Sequence, residues 1–335
     1  MTKKQAVSLL IRIALSGVML AVLVWQIPDF DTDEVVPELT LRSALWLVVA
    51  ILLTLAGIVL SALRWQKVLD VLGLQAGLRR LISHYLAGQF VSNVLPTTIG
   101  GDVLRVSRLS KDTGESPKSF ASVVLERLTG WLVLPIISVI GFVVNPPLQH
   151  LGTATRVALG LAFATLLALV GVLFAAADQR VGGRFAARDG WRKFVGAVHL
   201  GLDRLRHDKA AALNVILVGF AYQLVLVLAA VAAAQSLGLG ETAGLTALLA
   251  FFPAVAIAQV LPIGISGLGV REGAFILFLG PLGVADEEAI ALGLLLYLLN
   301  LGVSLLGAPA FAVGGRRDAA AAAAAAAKEP LASVG

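Results

Sequence analysis

One pattern occurs twice in this chain. Leu95-Pro96-Thr97-Thr98-Ile99-Gly100-Gly101-Asp102-Val103-Leu104-Arg105 and Leu261-Pro262-Ile263-Gly264-Ile265-Ser266-Gly267-Leu268-Gly269-Val270-Arg271 both fit L-P-x-x-I-[G/S]-G-x-x-[L/V]-R, 166 residues apart. Each copy follows an apolar run and an amide residue, Asn93 or Gln259. Proline ends a helix because it lacks a backbone donor and clashes with the preceding turn. In hydrocarbon, unwound backbone persists only where protein or a water-filled cavity surrounds it. Such a break at two matching places in an apolar chain points to an internally repeated membrane transporter, with the site where the broken helices meet.

The background is apolar enough to require a bilayer. Hydrophobic residues make up 58% of the 335 and charged residues only 14%, against about 25% charged in soluble domains. Apolar runs near 7–27, 44–63, 121–144, 153–177, 210–236 and 289–313 approach the roughly 20 residues a span needs. Two further runs, 81–95 and 244–261, lead into the motifs. The expected fold is an all-α polytopic membrane protein of about six full spans plus two broken or re-entrant hairpins. Eight spans is the alternative, because 244–284 is long enough to cross twice. Cysteine is absent, which excludes disulfide and thiol chemistry. The first run is too long for a signal-peptide core and reads as a retained helix.

Charge sorts the loops by side. Basic residues crowd the N-terminus (Lys3, Lys4), 64–80 (Arg64, Lys67, Arg79, Arg80), 101–120 (Arg105, Arg108, Lys111, Lys118), 178–209 and the tail (Arg316, Arg317, Lys328). Acidic residues crowd 28–43, with Asp29, Asp31, Asp33, Glu34 and Glu38. The positive-inside rule makes the basic segments and both termini cytoplasmic. The net charge of +5 is then a topology signal, and nucleic acid is not an expected partner. Because 64–80 and 101–120 share a side, 81–120 reads as a hairpin entering from the cytoplasm. The second hairpin enters from the opposite face. The chain thus reads as one transmembrane domain, 1–315, with inverted repeat units near 44–144 and 210–313. The connector 178–209, with Trp191, Phe194, Val195 and Val198 among its basic residues, reads as an amphipathic segment on the inner leaflet or a solvated link. The tail, 316–335, holds nine consecutive alanines and extends the last helix or is disordered.

The motifs supply the candidate site. Gly100, Gly101 and Gly267 let the chain turn and approach a ligand closely. A helix starting after the turn aims free N–H groups at an anion. Arg105 and Arg271 add a forked, permanently charged donor suited to phosphate, the anionic group that lipids bring to membrane depth. Asn93, Thr97, Thr98, Gln259 and Ser266 add neutral hydrogen bonds. Asp102 lies within the first motif, and Glu126-Arg127 and Arg271-Glu272 are acid–base neighbours that can neutralise one another or bind a zwitterionic head group. Tyr297 and Asn300 in the last span read as interhelical hydrogen-bonding groups. The histidines lack metal-ligand spacing, and no Walker loop or dinucleotide fingerprint occurs. No catalytic, metal or cofactor site is expected.

Ser92 through Asp102, Leu125-Glu126-Arg127 and Gly267-Leu268-Gly269-Val270-Arg271-Glu272-Gly273 resemble the flippase-like membrane proteins. That family includes the N-terminal membrane region of lysylphosphatidylglycerol synthase, the multiple peptide resistance factor. The resemblance covers roughly 5–315 and implies translocation of a phospholipid or other lipid-phosphate across a bacterial cytoplasmic membrane. It does not extend to lysyl transfer, which a separate cytosolic domain performs there. Two rival readings remain: a membrane-embedded transferase using a lipid-phosphate donor, with Asp29, Asp31 and Asp33 as external carboxylates, and a membrane subunit of a separately encoded lipid-modifying enzyme. Oligomeric state is not readable.

Overall fold

The computed structural model describes residues 40–94, 100–177, 208–260 and 267–313, with isolated positions at 18, 21, 196, 198, 199, 201, 203 and 204. The described residues are helical: α1 (Leu41–Val71), α2 (Leu78–Val94), α3 (Gly100–Thr113), α4 (Ser116–Val144), α5 (Thr153–Ala177), α6 (Lys209–Ser236), α7 (Leu245–Ala258), α8 (Val270–Leu279) and α9 (Asp286–Leu305). Five of them, α1, α4, α5, α6 and α9 with its extension to Val313, are long and apolar enough to cross a bilayer. The chain is a multi-pass membrane protein. The expected span at 7–27, the prolines of both motifs, most of the connector and the tail lie outside the described residues.

Local chemistry sets the boundaries. At α1, Thr40 Oγ1 accepts from the Ser43 amide at 3.1 Å while Ser43 Oγ accepts from the Thr40 amide at 3.0 Å, a reciprocal cap. Asp208 caps α6 by accepting from the Ala211 amide at 2.9 Å. At α8, Gly269 adopts φ +84°, a conformation that favours glycine. The helices α7 and α8 have 14 and 10 residues, or about 21 and 15 Å at 1.5 Å per residue. Neither alone crosses a ~30 Å core.

Both units follow one plan: long helix, broken hairpin, long helix. The helices α1 and α6 pack along their lengths. Arg64 lies over Tyr222, and Gly57 faces Leu226. Near the start of α1, Thr40, Arg42 and Ser43 share a cavity of about 430 Å³ with Gln235, Ser236 and Glu241. Numbers rise along one helix as they fall along the other, so α1 and α6 are antiparallel and the units are inverted. Contacts repeat under exchange of the units: α4 crosses α7 as α9 crosses α2, and α4 meets α6 as α9 meets α1. The glycines at the two crossings, Gly141 and Gly307, keep the offset of 166. A Cβ on Gly141 would lie 2.3 Å from the Ala250 nitrogen, and one on Gly307 would lie 2.1 Å from the Leu86 carbonyl oxygen.

The two ends of the bundle differ in charge. At one end α1 passes to α2 and α3 to α4, with Lys67, Arg79, Arg80, Lys111 and Lys118. The His84–Asp112 contact at 2.7 Å ties α2 to the end of α3 there. Arg108 donates to the Ala310 and Phe311 carbonyls at 3.1 Å each, bringing the end of α9 to the same place. The opposite end carries Glu241, Asp286, Glu287 and Glu288. Apolar side chains such as Leu52, Val143, Phe163 and Phe174 are exposed on the flanks, where acyl chains cover them.

Candidate functional site

The first unit gathers its charges about halfway through the bundle. Arg64 lies seven residues from the end of α1 and Glu126 ten from the start of α4, or about 10–15 Å from the basic end. Glu126 accepts from the guanidinium Nη2 of Arg64, from Arg105 Nη2 at 3.1 Å and from Ser61 Oγ at 3.2 Å. Arg105 also reaches Asp102 at 3.5 Å, and Asp102 pairs with Arg127. The Arg105 guanidinium is stacked on Trp65 at 4.2 Å and Tyr85 at 4.8 Å, a cation–π arrangement. Arg64, Arg105 and Glu126 are each at most 4% exposed, while Arg127 sits at the cluster's open rim.

The hairpin is tight because its glycines allow it. A Cβ on Gly101 would lie 2.2 Å from both the Gly88 oxygen and Ser92 Oγ. Gly101 therefore brings the two hairpin helices together rather than freeing backbone for a ligand. Gly267, at the matching offset, presses on Gln259 in the same way, with 2.7 Å between the built Cβ and the Gln259 Cβ.

The second unit is arranged differently. Arg271 Nε donates to Gln259 Oε1 at 3.1 Å and Nη1 to the Gly293 carbonyl at 3.2 Å, and the guanidinium faces Tyr297 at 5.8 Å. Glu272, fully buried, accepts from the Gly269 amide through Oε2 at 2.6 Å. Its Oε1 has no hydrogen-bond partner. Between the two units Gln89 Nε2 donates to Asn300 Oδ1 at 2.5 Å, one helical turn from Tyr297. Polar side chains of α2 and α9, Gln89, Asn300 and Tyr297, thus lie between Arg105, packed beside Gly88, and Arg271.

Several expectations need correction. Arg64 and Arg108 are not solvated loop charges; both are buried in the helix bundle. Arg105 and Arg271 are not bare forks, since each guanidinium is largely engaged by protein. Glu126 and Arg127 do not pair with one another, because adjacent residues on a helix point apart; each reaches another helix instead. The Gly269 amide at the start of α8 is taken by Glu272. As expected, Asn300 bonds between helices. Asn93 Nδ2 is buried with no partner. Thr97, Thr98 and Ser266 lie outside the described residues. The sequence reading missed Ser61, Arg64, Trp65, Tyr85 and Tyr222. Ser61 and Arg64 are three residues apart near the end of an apolar run, the spacing of one helix face, and that was the available signal. Among the described residues no group of acids or histidines is placed to hold a metal.

Residues 9–307 match the family described as the lysylphosphatidylglycerol synthase transmembrane region. The chain is also similar to the UPF0104 membrane protein MJ1595 of Methanocaldococcus jannaschii, with 28% identity over 124 residues. That stretch covers 36% of this chain and 37% of the archaeal protein.

Proposed function

The chain belongs to the family of the lysylphosphatidylglycerol synthase transmembrane region, and from that footing we propose that it moves a phosphate-bearing lipid between the leaflets of a bacterial cytoplasmic membrane. The observation that carries this reading is a net-positive cluster, buried except at its rim, in which several buried donors lack an acceptor. Among the described residues, the buried Arg64 and Arg105 and the rim Arg127 pair with two carboxylates, Asp102 and Glu126. Arg64 Nε and Nη1, Arg105 Nε and Asn93 Nδ2 are buried donors without an acceptor. Buried donors without an acceptor are costly, and a lipid phosphate is an acceptor available at that depth.

The head group would sit against the first unit's donors and cross beside Gln89 and Asn300 toward Arg271, while its acyl chains stay in the bilayer. A polar path lowers the cost of taking a head group through hydrocarbon. The inverted units supply the means of alternating access, by rocking one against the other. The positive-inside rule puts the end bearing Arg79, Arg80 and Lys118 in the cytoplasm.

The test is reconstitution into liposomes without ATP, following the leaflet accessibility of head-group-labelled phospholipids. The expected result is protein-dependent exchange of at least one anionic or zwitterionic lipid. Rates equal to those of empty liposomes for every lipid, with folded protein, would overturn the proposal and turn attention to a co-purifying lipid-modifying enzyme.

A further inference from the structure

Glu272 is the one fully buried carboxylate among the described residues that lacks a charged hydrogen-bonding partner. Its side chain is 0% exposed. Oε2 caps the start of α8 and Oε1 touches no donor. The neighbouring Arg271 directs its guanidinium to Gln259 and the Gly293 carbonyl rather than to the carboxylate. Gly293 on α9 makes the space for Glu272: a Cβ there would lie 2.9 Å from both Cγ and Oε1.

A carboxylate held this way is expensive as an anion. Moving a charge out of water costs several kcal/mol unless a partner satisfies it. On its own helix, Arg271 attracts the carboxylate without hydrogen-bonding it; on α9 there is Tyr297, beside Arg271. The packed helix α7 carries no titratable side chain. Arg156 on α5 is exposed and turned back to Gly152 and Thr153. The state that removes the penalty places a proton on Oε1 while Oε2 goes on accepting from Gly269.

We infer that Glu272 is an exchangeable proton site of this membrane protein, taking a proton on Oε1 from water on one side and releasing it to the other. On the lipid-translocation reading it couples that movement to the proton gradient. The site itself does not depend on that reading. A head group reaching Arg271 changes the charge beside Glu272, and that change provides the coupling.

Infrared difference spectroscopy of purified protein across a pH series tests the site without any transport assay. The expected result is a protonated-carboxyl band that titrates in wild type, vanishes in Glu272→Gln and persists in the surface control Glu241→Gln. Glutamine keeps an oxygen for the Gly269 amide, so the helix cap survives while the proton site is lost. Absence of a titrating band, or its persistence in Glu272→Gln, would overturn the inference. In liposomes with an imposed pH difference, wild type should accumulate lipid in one leaflet, by up to about tenfold per pH unit for one proton per lipid. Glu272→Gln should lose the response of the leaflet ratio to the gradient, whatever its exchange rate; equal responses in both proteins would reject coupling. If wild type moves no lipid at all, the translocation reading fails and the infrared result still decides the proton site.

Discussion

Glu126 and Glu272 are buried carboxylates beside the motif arginines, one in each inverted unit. Glu126 receives two guanidinium groups and a hydroxyl. Glu272 receives one backbone amide and nothing on its other oxygen. The backbones follow the same plan, and the glycines at the crossings keep the 166-residue offset, but the charges do not. Position 106, opposite Glu272 in the repeat, is Val106; position 292, opposite Glu126, is Leu292. Symmetry fixes the scaffold and the path. The two stations along it differ: a fixed, net-positive cluster in the first unit, and in the second an arginine next to a carboxylate without a charged hydrogen-bonding partner.

The sharpest way to break this contrast is to neutralise each carboxylate. Glu126→Ala leaves Arg64 and Arg105 buried without their shared anion. Removing one partner of a buried ion pair typically costs about 3–5 kcal/mol, so thermal unfolding in detergent should fall far below wild type. Glu272→Gln removes no ion pair and keeps the cap acceptor, and its midpoint should stay close to wild type. Equal losses in both variants would mean that the two sites are not different in kind.

The crossings come next in size. Gly141→Ala puts a methyl group against the backbone of α7, and Gly307→Ala puts one against the backbone of α2. Overpacking of this sort costs about 1–3 kcal/mol. Similar losses of thermal stability in the two variants would support equivalent crossings; a loss in only one would show that the repeat is not mechanically symmetric.

How much of this was legible follows from what each signal measures. The break motifs and the side-to-side charge bias report on backbone and topology, and they led to the hairpins, the inversion and the spans. Partnership across helices is a long-range property, and letters on one helix do not contain it. Arg64 reads as the first residue of a basic loop because α1 runs to Val71, eight residues beyond the apolar run that marks it. Glu126 and Arg127 read as a local pair because they are adjacent, although a helix turns them to different neighbours. Glu272 was legible as an acid beside an arginine, but its lack of a charged hydrogen-bonding partner required the packing of α9 against it.

The smallest expected effect concerns the contact between the stations. Gln89 and Asn300 form one neutral hydrogen bond at the α2–α9 crossing, and such a bond contributes about 0.5–1.5 kcal/mol. Asn300→Ala should therefore lower stability only slightly. Its effect on exchange should be larger than its effect on stability, because the path from Arg105 to Arg271 passes this pair and the amide supplies both a donor and an acceptor to a head group in transit. Asn300→Gln keeps those groups on a longer arm and should recover part of the rate. Ser138→Ala, which removes a hydroxyl donating to the Ala250 carbonyl at the other crossing at 2.6 Å, should change stability by a similar amount and leave exchange nearly unaltered, since no motif arginine lies along that seam. Exchange rates for the Asn300 and Ser138 variants, normalised to folded protein, decide the point. If both sets slow exchange equally, the α2–α9 crossing is only a structural joint and the route between the two stations runs elsewhere.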